Sequence, residues 1–186
     1  QKAMDAGHNT STPRDYFCYA TMLQMNKQGY FPYTPPMTLL RGLRASIDMM
    51  NAEGLDNVFK RHTRLASGVR AAVTAWGLKN CAVDRKWHSD TVTAIRVSEN
   101  IDANDVIKTA YYSYGVSLGA GLGPLNGNVF RIGHLGWLNE TMVLQALGGV
   151  EMAMRDVGVK FLPGCGVGAA IEKYTDAKAP MELAAE

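Results

Sequence analysis

Between residues 37 and 77 the apolar positions recur every three or four residues. Leu39, Leu40, Leu43, Ile47 and Met50 fall on one stripe, which predicts a helix with Pro36 near its start, where the missing N–H of proline does no harm. Leu55, Val58, Phe59, His62, Leu65, Ala66, Val69, Val73 and Trp76 keep the same spacing and predict a second helix. Gly54 separates the two and Gly77 stops the second, because glycine readily enters the left-handed conformation that closes a helix. The period then shortens. Leu78 to Val83 predicts a short edge strand, and the β-branched run Thr91-Val92-Thr93-Ala94-Ile95-Arg96-Val97 predicts a longer one. Asp102 is placed to cap a helix reaching about Tyr114, with Val106, Ile107 and Ala110 turned inward. Val116–Leu118 and Asn128–Gly133 predict two more strands, one on each side of a glycine-rich connection. Asn139 caps a last helix whose Val143, Leu147, Val150 and Met154 share a face, and Gly158 ends it. The order strand, helix, strand, strand, helix predicts an α+β fold: an antiparallel sheet with helices on one side.

Upstream of these elements the pattern is irregular. Thr10-Ser11-Thr12-Pro13 breaks the chain, and Asp15 to Lys27 predicts a short helix. Gly29-Tyr30-Phe31-Pro32-Tyr33-Thr34-Pro35-Pro36 then forces extended backbone, since each proline fixes its own φ and pushes its predecessor out of the α region. The residues after Tyr174 are small and polar and are expected to fray. No internal repeat or low-complexity segment is visible.

Composition narrows the function classes. The 186 residues are 47% apolar and carry a net charge of +2, enough apolar material for a sizeable core and too little positive charge to suggest a nucleic-acid partner. Charged residues make up only 19%, below the usual ~25%, which points to surface covered by something else. Cys18, Cys81 and Cys165 are odd in number and far apart, so a reducing, cytoplasmic setting is expected rather than a disulfide framework or a zinc ribbon. His8, His62, His88 and His134 show no metal-ligand spacing. Residues 109–130 carry no charge, but Gly115, Gly119, Gly121, Gly123 and Gly127 interrupt them, which argues against a membrane span. No basic stretch followed by an apolar run marks a signal peptide. The chain begins at Gln1 rather than Met, so sequence upstream of it is expected.

Three places offer chemistry. Gly119-Ala120-Gly121-Leu122-Gly123 is spaced G-x-G-x-G, is followed by Pro124, and leads into a strand. A dinucleotide fingerprint needs G-x-G-x-x-G opening a helix, so a flexible loop is the better account. Arg131 lies in Val129-Phe130-Arg131-Ile132-Gly133-His134-Leu135-Gly136, an otherwise apolar strand and turn. Its guanidinium matches a carboxylate bidentately, although by spacing alone a solvent-facing strand arginine is the commoner case. His134 reads as a hydrogen-bonded structural histidine. Thr34 precedes a helix start, where unpaired N–H groups attract anions; the commoner role of such a threonine is a cap. The carboxylates show no suggestive pairing, and there is no G-x-S-x-G elbow.

Taken together these stretches resemble a known family. Gly29-Tyr30-Phe31-Pro32-Tyr33-Thr34-Pro35-Pro36, Leu39-Leu40-Arg41-Gly42-Leu43-Arg44, Glu53-Gly54-Leu55, Arg61-His62 and Arg64-Leu65-Ala66 look like class V aminotransferases. Ser117-Leu118-Gly119-Ala120-Gly121-Leu122-Gly123 and Phe130-Arg131-Ile132-Gly133-His134-Leu135-Gly136 narrow the resemblance to the serine–glyoxylate and alanine–glyoxylate branch, over roughly residues 1–172. The resemblance implies a fold-type-I enzyme that uses pyridoxal 5'-phosphate. It implies that Arg131 binds the substrate α-carboxylate and that Thr34 reaches the cofactor phosphate of the neighbouring subunit, with Tyr33 beside it as a second candidate. Phe31 stands where some relatives carry a tyrosine that also contacts the phosphate, so that hydroxyl is lost. Arg41 replaces a common aromatic and Ala45 a common glutamate, both on the first long helix.

The Schiff-base lysine of the family is followed by a glycine- and proline-containing apolar stretch. Lys2 is followed by Ala3-Met4-Asp5-Ala6-Gly7-His8, so the lysine is expected upstream of Gln1, with the acidic partner of the pyridine nitrogen and the stacking aromatic. The implied organisation is an interface arm and the end of the large domain (1–36), connecting helices (37–77), the α+β small domain (78–174) and a flexible tail (175–186). The implied partners are an amino-acid donor, serine or alanine, a 2-oxo acid acceptor, glyoxylate, and a second copy of the subunit in a homodimer with shared active sites. From the residues alone two other readings stay open: a stand-alone α+β ligand-binding or regulatory module, and an inactive degenerate product.

Overall fold

The computed structural model describes residues 2–176, which divide into two units, one ending at Glu53 and one beginning at Gly54. The two long helices expected as one connecting segment, 37–77, fall on either side of this divide.

The first unit holds α1 (Lys2–His8), α2 (Tyr19–Asn26) and α3 (Met37–Glu53). Helix α2 starts four residues later than Asp15, the expected start, with Cys18 as its N-cap. Asp15 is instead drawn into a turn whose carbonyl accepts from the Cys18 N–H, 3.2 Å away. Gly29 takes φ +80° as the chain leaves α2. Helix α3 starts one residue after Pro36, as the sequence predicts, and carries the i,i+4 pair Arg44–Asp48 at 2.9 Å. The expected apolar stripe is present but unburied: Leu39 is 71% and Leu43 54% exposed, and α3 has no buried residue.

The second unit is α4 (Leu55–Ala75), β1 (Lys79–Asn80), β2 (Val92–Arg96), α5 (Ala103–Tyr114), β3 (Gly119–Ala120), β4 (Val129–Gly133), α6 (Glu140–Asp156) and α7 (Cys165–Asp176). The four strands form one antiparallel sheet in the order β1-β2-β4-β3. Thr93 faces Ile132 and Ile95 faces Phe130 across the central pair, and all four are buried. Ile95, Phe130 and Ile132 join Leu65 and Val69 of α4, Val106 of α5 and Leu147 of α6 in the core. Each fully buried apolar side chain of this size contributes roughly 1.5–3 kcal/mol. Strand alternation places Ala94, Arg96 and Arg131 on the opposite face.

Local signals set the helix ends where the sequence predicts them. Asp102 accepts from the Asn104 N–H at 2.8 Å and Asn139 from the Met142 N–H at 3.0 Å. Gly77, Gly115 and Gly158 carry positive φ. Two expectations are corrected. The strand predicted at Val116–Leu118 forms at Gly119–Ala120 instead. After Gly115 the Val116 N–H returns to the Ala110 carbonyl at 2.9 Å, so Val116 belongs to the helix closure; Val116 and Leu118 pack against the core without pairing. The last helix is α7, not α6. Its inward residues Gly166 and Ala170 are too small to make an apolar stripe, and only Tyr174 is large. Of the tail expected from 175 onward, Thr175 and Asp176 end α7, and 177–186 lie outside the described residues.

Candidate functional site

Arg131 occupies the middle of β4, an inner strand, with Ala94 of β2 and Gly119 of β3 as its two register partners. The guanidinium is therefore flanked by a methyl group on one side and a hydrogen on the other. Its Nε–H donates to the Ala120 carbonyl at 2.9 Å. The side chain is half-buried, and among the described residues no carboxylate lies within ion-pair distance of it. Both Nη groups thus keep their donors for an external anion, and the fork geometry suits a carboxylate. The strand arginine that spacing alone reads as solvent-facing is thus half-buried and on an inner strand.

The turn that follows, residues 133–138, is anchored from several sides. His134 is fully buried, with Nδ1 3.0 Å from the Asp90 carbonyl and Nε2 2.9 Å from Thr93 Oγ1. The carbonyl requires a proton on Nδ1, and in the neutral ring Nε2 then accepts from the threonine hydroxyl. Burial pushes its pKa below the usual histidine value. His62 on α4 is likewise bonded at both ring nitrogens: Nδ1 faces the Val58 carbonyl at 2.7 Å and Nε2 accepts the Gly136 N–H at 3.1 Å. Arg61 donates to the Gly136 carbonyl at 2.8 Å and lies 5.6 Å from the Trp137 ring centroid. His134 is thus the structural histidine expected, and His62 is a second one that helical spacing disguised as a core position.

The glycine cluster is built as strand and turn rather than as a flexible loop. Gly119-Ala120 pairs with β4, and Gly123–Leu125 forms a single 3₁₀ turn. At Gly121 a side chain would sit 2.1 Å from the Leu125 carbonyl oxygen, so this glycine is required by packing.

Thr34 and Tyr33 lie in the first unit. Thr34 is exposed, and its hydroxyl has no protein partner among the described residues. It is not the cap of α3: the Leu40 N–H returns to Pro36, two residues later. The Tyr33 hydroxyl donates to Asp15 at 2.5 Å, and its ring stacks on Tyr16 with centroids 4.8 Å apart. That bond raises the pKa of Tyr33 and commits the hydroxyl. Lys2 opens α1, consistent with a helix at that point. Among the described residues no helix is long and apolar enough to cross a membrane.

The chain has counterparts among solved structures. The chain superposes on the ureidoglycine–glyoxylate aminotransferase of Bacillus subtilis with a TM-score of 0.83 and 25% identity, over 91% of this chain and 44% of that one. The fold is therefore the one that aminotransferase chains have over this part of their length, with the α+β architecture described above. Sequence narrows it further. The chain is 57% identical over 177 residues to the serine–glyoxylate aminotransferase of Hyphomicrobium methylovorum, covering 94% of this chain and 44% of the relative. It is 50% identical over 175 residues to the enzyme of the same name from Methylorubrum extorquens, covering 91% and 44%. The chain spans less than half the length of these curated relatives, and it matches the C-terminal part of class V aminotransferases of the serine–glyoxylate branch. No family model matches it.

Proposed function

We propose that this chain is the C-terminal portion of a pyridoxal-phosphate-dependent aminotransferase that moves an amino group from serine or alanine to glyoxylate. The observation that carries the reading is Arg131: a half-buried guanidinium on an inner strand, both Nη groups uncommitted, in a chain 57% identical to a serine–glyoxylate aminotransferase. In this role Arg131 binds the carboxylate of the amino donor. The donor leaves as its 2-oxo acid, and Arg131 then binds the carboxylate of glyoxylate, which leaves as glycine. Holding each acid by the same fork places its reactive carbon at the same distance from the arginine in both halves of the reaction. The bound cofactor supplies the amino-group carrier and electron sink.

Thr34 fits a phosphate contact, since its hydroxyl is exposed and without a protein partner among the described residues. Tyr33 is assigned a supporting part, because its hydroxyl is held by Asp15. The lysine that binds the cofactor belongs to sequence upstream of Gln1, and the working form is a cytoplasmic homodimer whose subunits share their active sites. The decisive experiment is Arg131→Ala in the full-length enzyme. The KM for both acids is expected to rise by about ten- to a hundredfold, the value of a lost charge-assisted pair at roughly 1.5–3 kcal/mol, while cofactor absorbance survives. Unchanged kinetics would refute the assignment.

A further inference from the structure

We infer that the two-residue strand β3 positions Arg131, presenting its two Nη groups end-on to the carboxylate. This deepens the proposed function and rests on it. Two observations support it. First, the Ala120 carbonyl accepts the Nε–H of Arg131 at 2.9 Å, which closes the side-on edge of the guanidinium formed by Nε and one Nη. The remaining bidentate edge is the pair Nη1 and Nη2. Second, Gly119 lies directly across from Arg131, and a Cβ there would sit 3.1 Å from Nε, 3.3 Å from Cβ and 3.3 Å from Nη2. The guanidinium thus lies against the space that a side chain at 119 would fill. Gly119 shows no positive φ, so backbone conformation does not demand glycine here. A side chain there would instead have to push the arginine aside by a few tenths of an ångström. Gly119 and Ala120 are positioning residues, since they act through Arg131 and do not touch the substrate.

The test compares variants of the full-length holoenzyme. Gly119→Ala displaces the guanidinium by a few tenths of an ångström and is expected to raise the KM for donor and glyoxylate about five- to tenfold, by comparison with the roughly hundredfold cost of a full ångström. The kcat should change by less than about twofold, as for a contact held equally in ground and transition states. In an Arg131→Lys background, which has no Nε–H to place, Gly119→Ala should add nothing. A silent Gly119→Ala beside a damaging Arg131→Ala overturns the inference and leaves the proposed function standing. So does an equal Gly119→Ala effect in both backgrounds, which marks mere strand packing. A silent Arg131→Ala overturns the proposed function itself.

A second measurement needs no change at residue 119. In enzyme carrying ¹⁵N-labelled arginine, with the Arg131 signals assigned by their loss in Arg131→Lys, glycolate is added as a non-reacting carboxylate. The Arg131 Nε–H signal is expected to be exchange-protected before addition and to stay in place, while the Nη signals shift. A Nε–H signal that moves more than the Nη signals means side-on binding and overturns the inference.

Discussion

Glu151 is a buried carboxylate with four N–H groups on it and, among the described residues, no ion-pair partner, and replacing it should unfasten α7. Its Oε1 accepts from Trp76 Nε1 at 2.8 Å, from the Gly166 N–H at 2.8 Å and from the Val167 N–H at 3.2 Å; its Oε2 accepts from the Gly164 N–H at 2.7 Å. The carboxylate is 6% exposed and Trp76 3%. One side chain of α6 therefore caps the start of α7 and fixes the indole at the end of α4. Glu151→Ala leaves two fully buried donors, the indole and Gly166, without acceptors, at about 1–3 kcal/mol each, and removes two half-buried bonds as well. The expected loss is about 3–5 kcal/mol. Glu151→Gln keeps an oxygen for the three donors gathered on Oε1 and loses only the contact with Gly164, so about 1–2 kcal/mol is expected. Hydrogen exchange of the Gly166 and Val167 amides reads the effect locally. With tenfold for every 1.4 kcal/mol, exchange should speed up by more than about a hundredfold in Glu151→Ala and by about tenfold in Glu151→Gln. Equal acceleration in the two variants, or less than about tenfold in the alanine variant, would show that the four bonds do not hold the helix.

Other perturbations test neighbouring features. Gly68→Ala puts a Cβ 2.3 Å from Cζ of Tyr174; overpacking of this kind costs about 1–3 kcal/mol or more, and urea denaturation should show it, whereas Gly42→Ala, with open space around it, should not destabilise. His134 sets a pH dependence. Its folded pKa is depressed by burial, so the unfolded chain binds the extra proton first, and stability should be intact above about pH 6.5 and fall as the solution is acidified. In His134→Gln the slope of unfolding free energy below that pH should flatten by up to about 1.4 kcal/mol per pH unit; an unchanged slope would mean the ring is protonated in the folded state.

Most of the fold was legible because its boundaries are written locally. Asp102 and Asn139 each cap the helix that follows them, and Gly77, Gly115 and Gly158 each close the one before; such signals act within a few residues and need no knowledge of the rest of the chain. The β-branched run at 91–97 and the largely apolar run at 128–133 likewise identify β2 and β4. Two of the misses have one cause. Strand β3 is Gly119-Ala120, with no strand propensity at all, and α7 presents Gly166 and Ala170 to its neighbours. In each case small residues were selected by what approaches them: Arg131 at Gly119, the Trp76 indole at Gly166 and, across the same helix pair, Tyr174 at Gly68. A hydrophobicity pattern records what an element brings to a contact. It does not record the room it leaves.

The same distinction governs the site. Arg131 was visible as a charged residue in an apolar strand, and the resemblance to class V aminotransferases supplied its role as an expectation. Neither could show which edge of the guanidinium faces outward, because that depends on the register of β3 against β4, strands joined by a glycine-rich connection over residues 121–128. That register sets Gly119 against Arg131 and brings the Ala120 carbonyl within 2.9 Å of Nε. A shift of one residue would exchange the faces of β3 and remove both the cleared space and the acceptor. Gly121 resists that shift, since any side chain there meets the Leu125 carbonyl at 2.1 Å and the Val129 carbonyl at 3.0 Å, while its N–H donates to the same Val129 carbonyl at 2.9 Å. The glycine cluster is therefore neither a phosphate cradle nor a slack connection: Gly121 holds the register, and the register presents the guanidinium.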